Sequence, residues 1–305
     1  MDLMRRRNRL TATESPLLAA SLSLFGAAIF LIRPPCLGAQ QKPPAMTPEE
    51  QSIVQQLRGL RQLPDDVRAR TTKDLALKIR ALPAAGNKLR LAAGLANLST
   101  EGDFGHDTLQ EVATTLAEAL REAPAPPNTD QPSMPCVELA QLVRYEHVQA
   151  SLDSPQFAAA MAKLEAADRI RQQADFSLTD LQGKTWALSQ LRGKVVLVNF
   201  WATWCPPCRK EMPDLQTLYD RFKDQGLVIL AISDEDTDKV KPFVTERNVT
   251  YPILLDTGRK VNALFQIEGI PKSFVYDRKG ALVAQAIDMR TRKQFLEMLA
   301  QAGLR

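Results

Sequence analysis

The sequence predicts an α/β domain over residues 175–305, a separate all-α domain over 40–173, and a leader over 1–39. Three observations carry this. Val195-Val-Leu-Val-Asn-Phe200 is an apolar, β-branched run delivered straight into a helical pattern, as expected of a strand buried on both faces. Residues 40–173 show helical spacing throughout and no strand signal. The N-terminus joins an arginine cluster to a short apolar stretch. A chain of 305 residues has room for two cores.

Arg5, Arg6, Arg7 and Arg9 precede a sixteen-residue apolar run from Leu17 to Ile32, and Leu37-Gly-Ala39 follows. A basic head, an apolar body and a small-residue end read as a secretory signal peptide cut after Ala39, or as an uncleaved membrane anchor. Either places the chain in the periplasm or another extracytoplasmic space, where disulfides form and persist. The formal net charge is +4, partly from these arginines. What remains is near neutral, which argues against nucleic acid as a partner.

In the middle of the chain, Thr47-Pro-Glu-Glu50 is a capping box with proline at the first helical position, followed by Ile53, Val54, Leu57 and Leu60. Helices are expected at 72–82, 86–98 and 107–123, the last with the stripe Leu109, Val112, Leu116 and Leu120. Five prolines between 124 and 135 mark a linker or ordered loop. Two helices follow; Ser154-Pro155 opens the second, which places Phe157, Met161, Leu164 and Ile170 on one stripe. His106 falls in a loop and His147 on a helix, with bland roles.

From 176 onward the expected order is a hairpin to about 190, the strand 195–200 and a helix from Cys205 to about Lys223. A second buried strand at 227–232 and a helix at 238–247 come next. Two antiparallel strands flank Asp277-Arg-Lys-Gly280, and a last helix is capped by Thr291.

The chemistry-bearing feature is Cys205-Pro-Pro-Cys208. Two thiols at this spacing can close on each other and so hold or release two electrons. Pro206 and Pro207 lack backbone donors and fit only the first helical turn, which puts Cys205 at the N-cap. The helix dipole and free amides there favour a thiolate. Cys208, one turn in, suits the resolving role. A zinc clip needs two more ligands at comparable spacing; Cys36, Cys136, His106 and His147 are scattered, so no metal is expected. A structural disulfide would tie distant segments rather than close so short a loop.

Residues 175–305 resemble the TlpA/ResA-like branch of the thioredoxin superfamily. The resemblance rests on Phe176-Ser-Leu-Thr-Asp-Leu-Gln-Gly-Lys184, Leu191-Arg-Gly-Lys194, Phe200-Trp-Ala-Thr-Trp-Cys-Pro-Pro-Cys-Arg-Lys-Glu-Met-Pro213 and Gly269-Ile-Pro-Lys-Ser-Phe-Val-Tyr-Asp-Arg-Lys-Gly280. It implies a thioredoxin-like fold with Pro271 as the superfamily's cis-proline. Ile270 and Pro271 would pair with a substrate strand, and Trp204, with Pro206 and Pro207, would line the active-site surface. Glu211 would be a functional acid near Cys208, its helical neighbour three residues back; the bland alternative is a first-turn acid favoured by the dipole. Trp201 is expected in the core.

The function expected from all this is an extracytoplasmic thiol–disulfide oxidoreductase acting on exported proteins through a redox-active Cys205–Cys208 disulfide. It needs no cofactor and draws electrons from a membrane-side donor. That reading requires the Cys205 sulfur to be reachable at the helix tip. Two rivals stand beside it. One is a binding protein whose helical domain recruits a client to a redox-sensing module. The other is a thiol peroxidase, weakened because Ala202-Thr-Trp-Cys205 lacks the expected proline and spacing.

Overall fold

The computed structural model describes residues 45–84, 86–124 and 131–305. The leader and the centre of the proline-rich segment lie outside the described residues. Among those described, no helix is long and apolar enough to cross a membrane.

The helical region holds α1 (Pro48–Gly59), α2 (Asp65–Ala81), α3 (Gly86–Leu98), α4 (His106–Glu122), α5 (Met134–Tyr145) and α6 (Pro155–Gln173). Thr47 forms both arms of the capping box, its Oγ1 accepting from Glu50 N while Glu50 accepts from Thr47 N. The α4 stripe is buried as its spacing requires, in a core shared with Ile79, Leu95 and Leu139. Four expectations need correction. His106, expected in a loop, is the first residue of α4. The helix expected at 72–82 begins seven residues earlier, where Asp65 and Asp66 occupy a first turn whose dipole favours acids. Ile170 leaves its stripe and is 39% exposed. His147 lies beyond the end of α5 in a left-handed conformation, not on a helix.

The α/β region contains β1 (Ser177–Thr179), β2 (Thr185–Ala187), β3 (Val195–Phe200), α7 (Pro206–Phe222), β4 (Leu227–Ser233) and α8 (Thr237–Glu246). It continues with β5 (Ile253–Leu255), α9 (Lys260–Leu264), β6 (Lys272–Tyr276), β7 (Leu282–Ala286) and α10 (Arg292–Gln301). The main sheet has the order β5-β4-β3-β6-β7, with β3 at its centre, parallel to β4 and antiparallel to β6. This is a thioredoxin-like arrangement.

Side-chain alternation along β3 builds two cores. Val195 and Leu197 face α7 and α10, against Leu215, Phe222, Phe295 and Leu299. Val196, Val198 and Phe200 face the other way, onto the ring cluster of Phe176, Phe265 and Phe274. Asn199 shares the parity of Val195 and Leu197, so its side chain is sent to the α7 face.

The two regions are not independent bodies; residues Pro43–Arg305 form one compact unit. The seam is polar. Tyr276 Oη donates to Arg171 O at 2.7 Å, Arg171 Nε to Phe265 O at 3.1 Å, and Lys210 pairs with Asp65 at 3.2 Å.

Candidate active site

Strand β3 ends at Phe200, and a short loop leads from the carboxyl end of this central strand to α7. Cys205 is the N-cap, extended in backbone conformation, and its sulfur accepts from Cys208 N at 3.3 Å. Pro206 and Pro207 occupy the first turn, where missing donors cost nothing. The two cysteines are joined as a disulfide. Cys136, by contrast, is a free thiol buried in α5.

The loop before the disulfide is held from β4's end. Glu235 accepts from Thr203 N at 2.6 Å and from Thr203 Oγ1 at 2.9 Å. Next to this clamp, Trp204 stands 66% exposed. Trp201 instead enters the core and stacks on Phe243 with ring centroids 5.7 Å apart. On the other side of the sulfurs lies the Ile270–Pro271 segment, whose peptide bond is cis. Ile270 O is 3.8 Å from Cys205 Sγ.

One expectation is not met in this disulfide form. The Cys205 sulfur was expected to be open at the helix tip, but the residue is only 2% exposed. Long-range packing contributes: Ile270, 65 positions away, brings its carbonyl oxygen to 3.8 Å from the sulfur and packs against the core cluster that contains Cys205. Cys208 is fully buried, deeper than its neighbour as expected.

Glu211 lies one turn beyond Cys208 and is 2% exposed. Its Oε1 accepts from Asn199 Nδ2 at 2.8 Å, and its Oε2 accepts from the backbone N–H of Arg290 at 3.3 Å. Asn199 Nδ2 also reaches Ser273 Oγ at 3.1 Å across the β3–β6 pair. Burial outweighs these two bonds and the nearby Arg290 charge, and pushes the Glu211 carboxyl up to about 8. Glu211 lies in the second turn of α7 rather than the first, and is buried rather than solvated. Tyr251 is held above the usual phenol range by burial and by the Glu211 charge.

Asn199, Ser273, Tyr251, Glu235 and Arg290 were not anticipated as site residues. Only Asn199 carried a signal, being the single polar residue in a strand otherwise apolar. Among the described residues, no group of three or more His, Cys, Asp or Glu side chains is placed to hold a metal ion.

Chemically, the arrangement is a disulfide at a helix start, a bond that can take up two electrons, with an acid buried one turn further along the same helix and a carbonyl beside the outer sulfur. Sequence comparison points the same way. The model of the AhpC/TSA family matches residues 170–285. The thiol-disulfide oxidoreductase ResA of Bacillus thuringiensis (strain Al Hakam) is 40% identical over 121 residues, covering 39% of this chain and 70% of the relative. ResA of Geobacillus kaustophilus is 40% identical over 124 residues, covering 40% and 71%. Among solved structures, a thiol:disulfide interchange protein of the thioredoxin family from Chlorobium tepidum TLS is 31% identical with a TM-score of 0.39, covering 42% of this chain and 92% of that one. With a Cys205–Cys208 disulfide at the start of α7 and relatives of this identity and coverage, the chain belongs to the ResA family of thiol-disulfide oxidoreductases.

Proposed function

We propose that this oxidoreductase works outside the cytoplasm and reduces or exchanges disulfides in exported proteins through Cys205 and Cys208. The Cys205 thiolate attacks a substrate disulfide, forms a mixed disulfide and releases one substrate thiolate. The Cys208 thiolate then attacks Cys205 Sγ. The mixed bond breaks, the second substrate thiolate leaves, and the Cys205–Cys208 bond carries the two electrons' worth of oxidation. A dithiol donor on the membrane side reverses that last change. The one observation that carries the reading is the Cys205–Cys208 bond at the N-cap of α7, with Glu211 buried one turn further.

Each remaining part has its own support. In the disulfide form Glu211 carries a proton; it passes this to the Cys208 thiolate that leaves when the donor opens the bond, and the carboxylate so formed takes the proton back when the resolving thiol ionises. Its burial and its place three residues along the same helix support this. Ile270 and Pro271 hold the substrate strand, supported by the 3.8 Å approach of Ile270 O to Cys205 Sγ. Trp204 is the exposed rim against which substrate packs, beside Pro206 and Pro207. Because Cys205 is buried in the disulfide form, substrate or donor reaches it by displacing the Ile270 segment beside the sulfur. Export rests on the arginine-headed apolar leader.

Two measurements test this. Cys205→Ser abolishes reduction of a fluorescently labelled protein disulfide. Residues 1–39 fused to alkaline phosphatase, which needs disulfides to be active, give activity only if they direct export. Turnover by Cys205→Ser would overturn the mechanism, and an inactive fusion the location.

A further inference from the structure

Buried charge collects at the seam between the helical region and the short strap, residues 287–290, that joins β7 to α10. The Arg290 guanidinium pairs with Glu146, just beyond α5, and the two side chains are only 4% and 8% exposed. The backbone N–H of this same Arg290 donates to Glu211 Oε2. Two residues earlier, Asp288 accepts from Thr100 Oγ1 at 2.5 Å, and Lys272 Nζ of β6 donates to Ile287 O. The strap that touches the Glu211 carboxyl is therefore anchored twice from the helical region. Both anchors, Thr100 and Glu146, lie outside the segment matched by the family model.

We propose that Glu146 and Thr100 are positioning residues for Glu211: through the 287–290 strap, the helical region sets where the Arg290 N–H and the Arg290 charge meet the Glu211 carboxyl, and so sets the pH at which the redox site exchanges its proton. This rests on the reading of Glu211 as the proton carrier. The physical basis is the low dielectric of the seam, where one uncompensated charge acts strongly on its neighbours. Arg290 and Asp288 of the strap and Tyr251 before β5 face Glu211. Lys272, Glu101 and Arg290 in turn face Asp288. Glu146 offsets part of the Arg290 charge that acts on Glu211. Without it, that charge favours the Glu211 carboxylate more strongly.

The test uses the full chain, reduced, and follows reduction of a fluorogenic glutathione disulfide against pH. Glu146→Gln keeps an acceptor for Arg290 but removes the negative charge, and moves the Glu211-dependent inflection down by about half a unit to one unit. Glu146→Asp returns it toward the wild-type position. Thr100→Val, nearly isosteric and free of any charge change, displaces the inflection as well and serves if Glu146→Gln does not fold. In a Glu211→Gln background neither substitution has any effect on the profile. An inflection unmoved by Glu146→Gln and Thr100→Val overturns the proposal, as does a shift that survives in the Glu211→Gln background. A Glu211→Gln profile identical to wild type overturns the proton-carrier reading, and the proposal with it.

Discussion

Asn199 and Glu211 meet at 2.8 Å between the central strand and the helix that carries the redox pair. The contact joins two consequences of local sequence. Strand alternation sends Asn199 to the α7 face, and helical spacing sends Glu211 back toward β3 from one turn beyond Cys208. Two hydrogen bonds do not offset the loss of water around the carboxyl, so Glu211 holds its proton through neutrality.

That proton has a kinetic signature. Glu211→Gln, similar in size but unable to ionise, removes the inflection near pH 8 from the rate of disulfide reduction. Above that pH the rate falls roughly 10²-fold, the lower end of what a positioned proton carrier contributes. A pH series of steady-state rates on both proteins checks this.

The same group makes stability depend on pH, with a definite sign. Glu211 is raised from an ordinary 4.5 to about 8 in the folded chain. Between these values the folded state keeps a proton that the unfolded state has lost. Its contribution is therefore fully present below about 4.5 and is lost as pH rises to about 8, by ~1.4 kcal/mol for each pH unit. Subtracting Glu211→Gln denaturation free energies from those of wild type, pH by pH, isolates this slope. Glu138, pushed up to about 7 by burial, contributes equally to both proteins and cancels.

Glu235 is expected to fix the loop in front of Cys205. Its carboxylate takes two hydrogen bonds from Thr203. Glu235→Ala should cost about 1.5–3 kcal/mol, the range for bonds to a charged group. It should also raise KM more than it lowers kcat, because Trp204 loses its support. Chemical denaturation and steady-state kinetics read the two effects.

Asp168 ties the regions together. It accepts from Arg144 Nε, Tyr145 Oη, Arg171 Nη1 and Gln285 Nε2. Asp168→Ala leaves two partly buried guanidinium groups without this carboxylate and should cost about 3 kcal/mol, the lower edge for broken buried pairs. Because the regions form one unit, unfolding stays a single transition at a lower temperature, measurable by calorimetry.

What was legible in the sequence was local. The proline pair after Cys205 marks a helix start, Thr47 and Glu50 mark another, and the apolar run 195–200 marks the central strand. Glu211 could be proposed because helical spacing relates it to Cys208. The rest depends on residues far apart in the chain. Arg290 and Glu146 are 144 positions apart, and Thr100 and Asp288 are 188 apart. Charged residues that pair across a seam look like surface residues until the seam is seen. The burial of Cys205 is not legible for the same reason: a helix start alone predicts an open sulfur, and the approach of Ile270, 65 positions away, comes only from the resemblance.

The direct test of the redox account is trapping. Cys208→Ser, reduced and incubated with a disulfide-bonded protein, should accumulate a mixed disulfide that mass spectrometry maps to Cys205, while Cys205→Ser forms none and does not turn over. Adducts mapped to Cys208, or reduction that persists in Cys205→Ser, would contradict it.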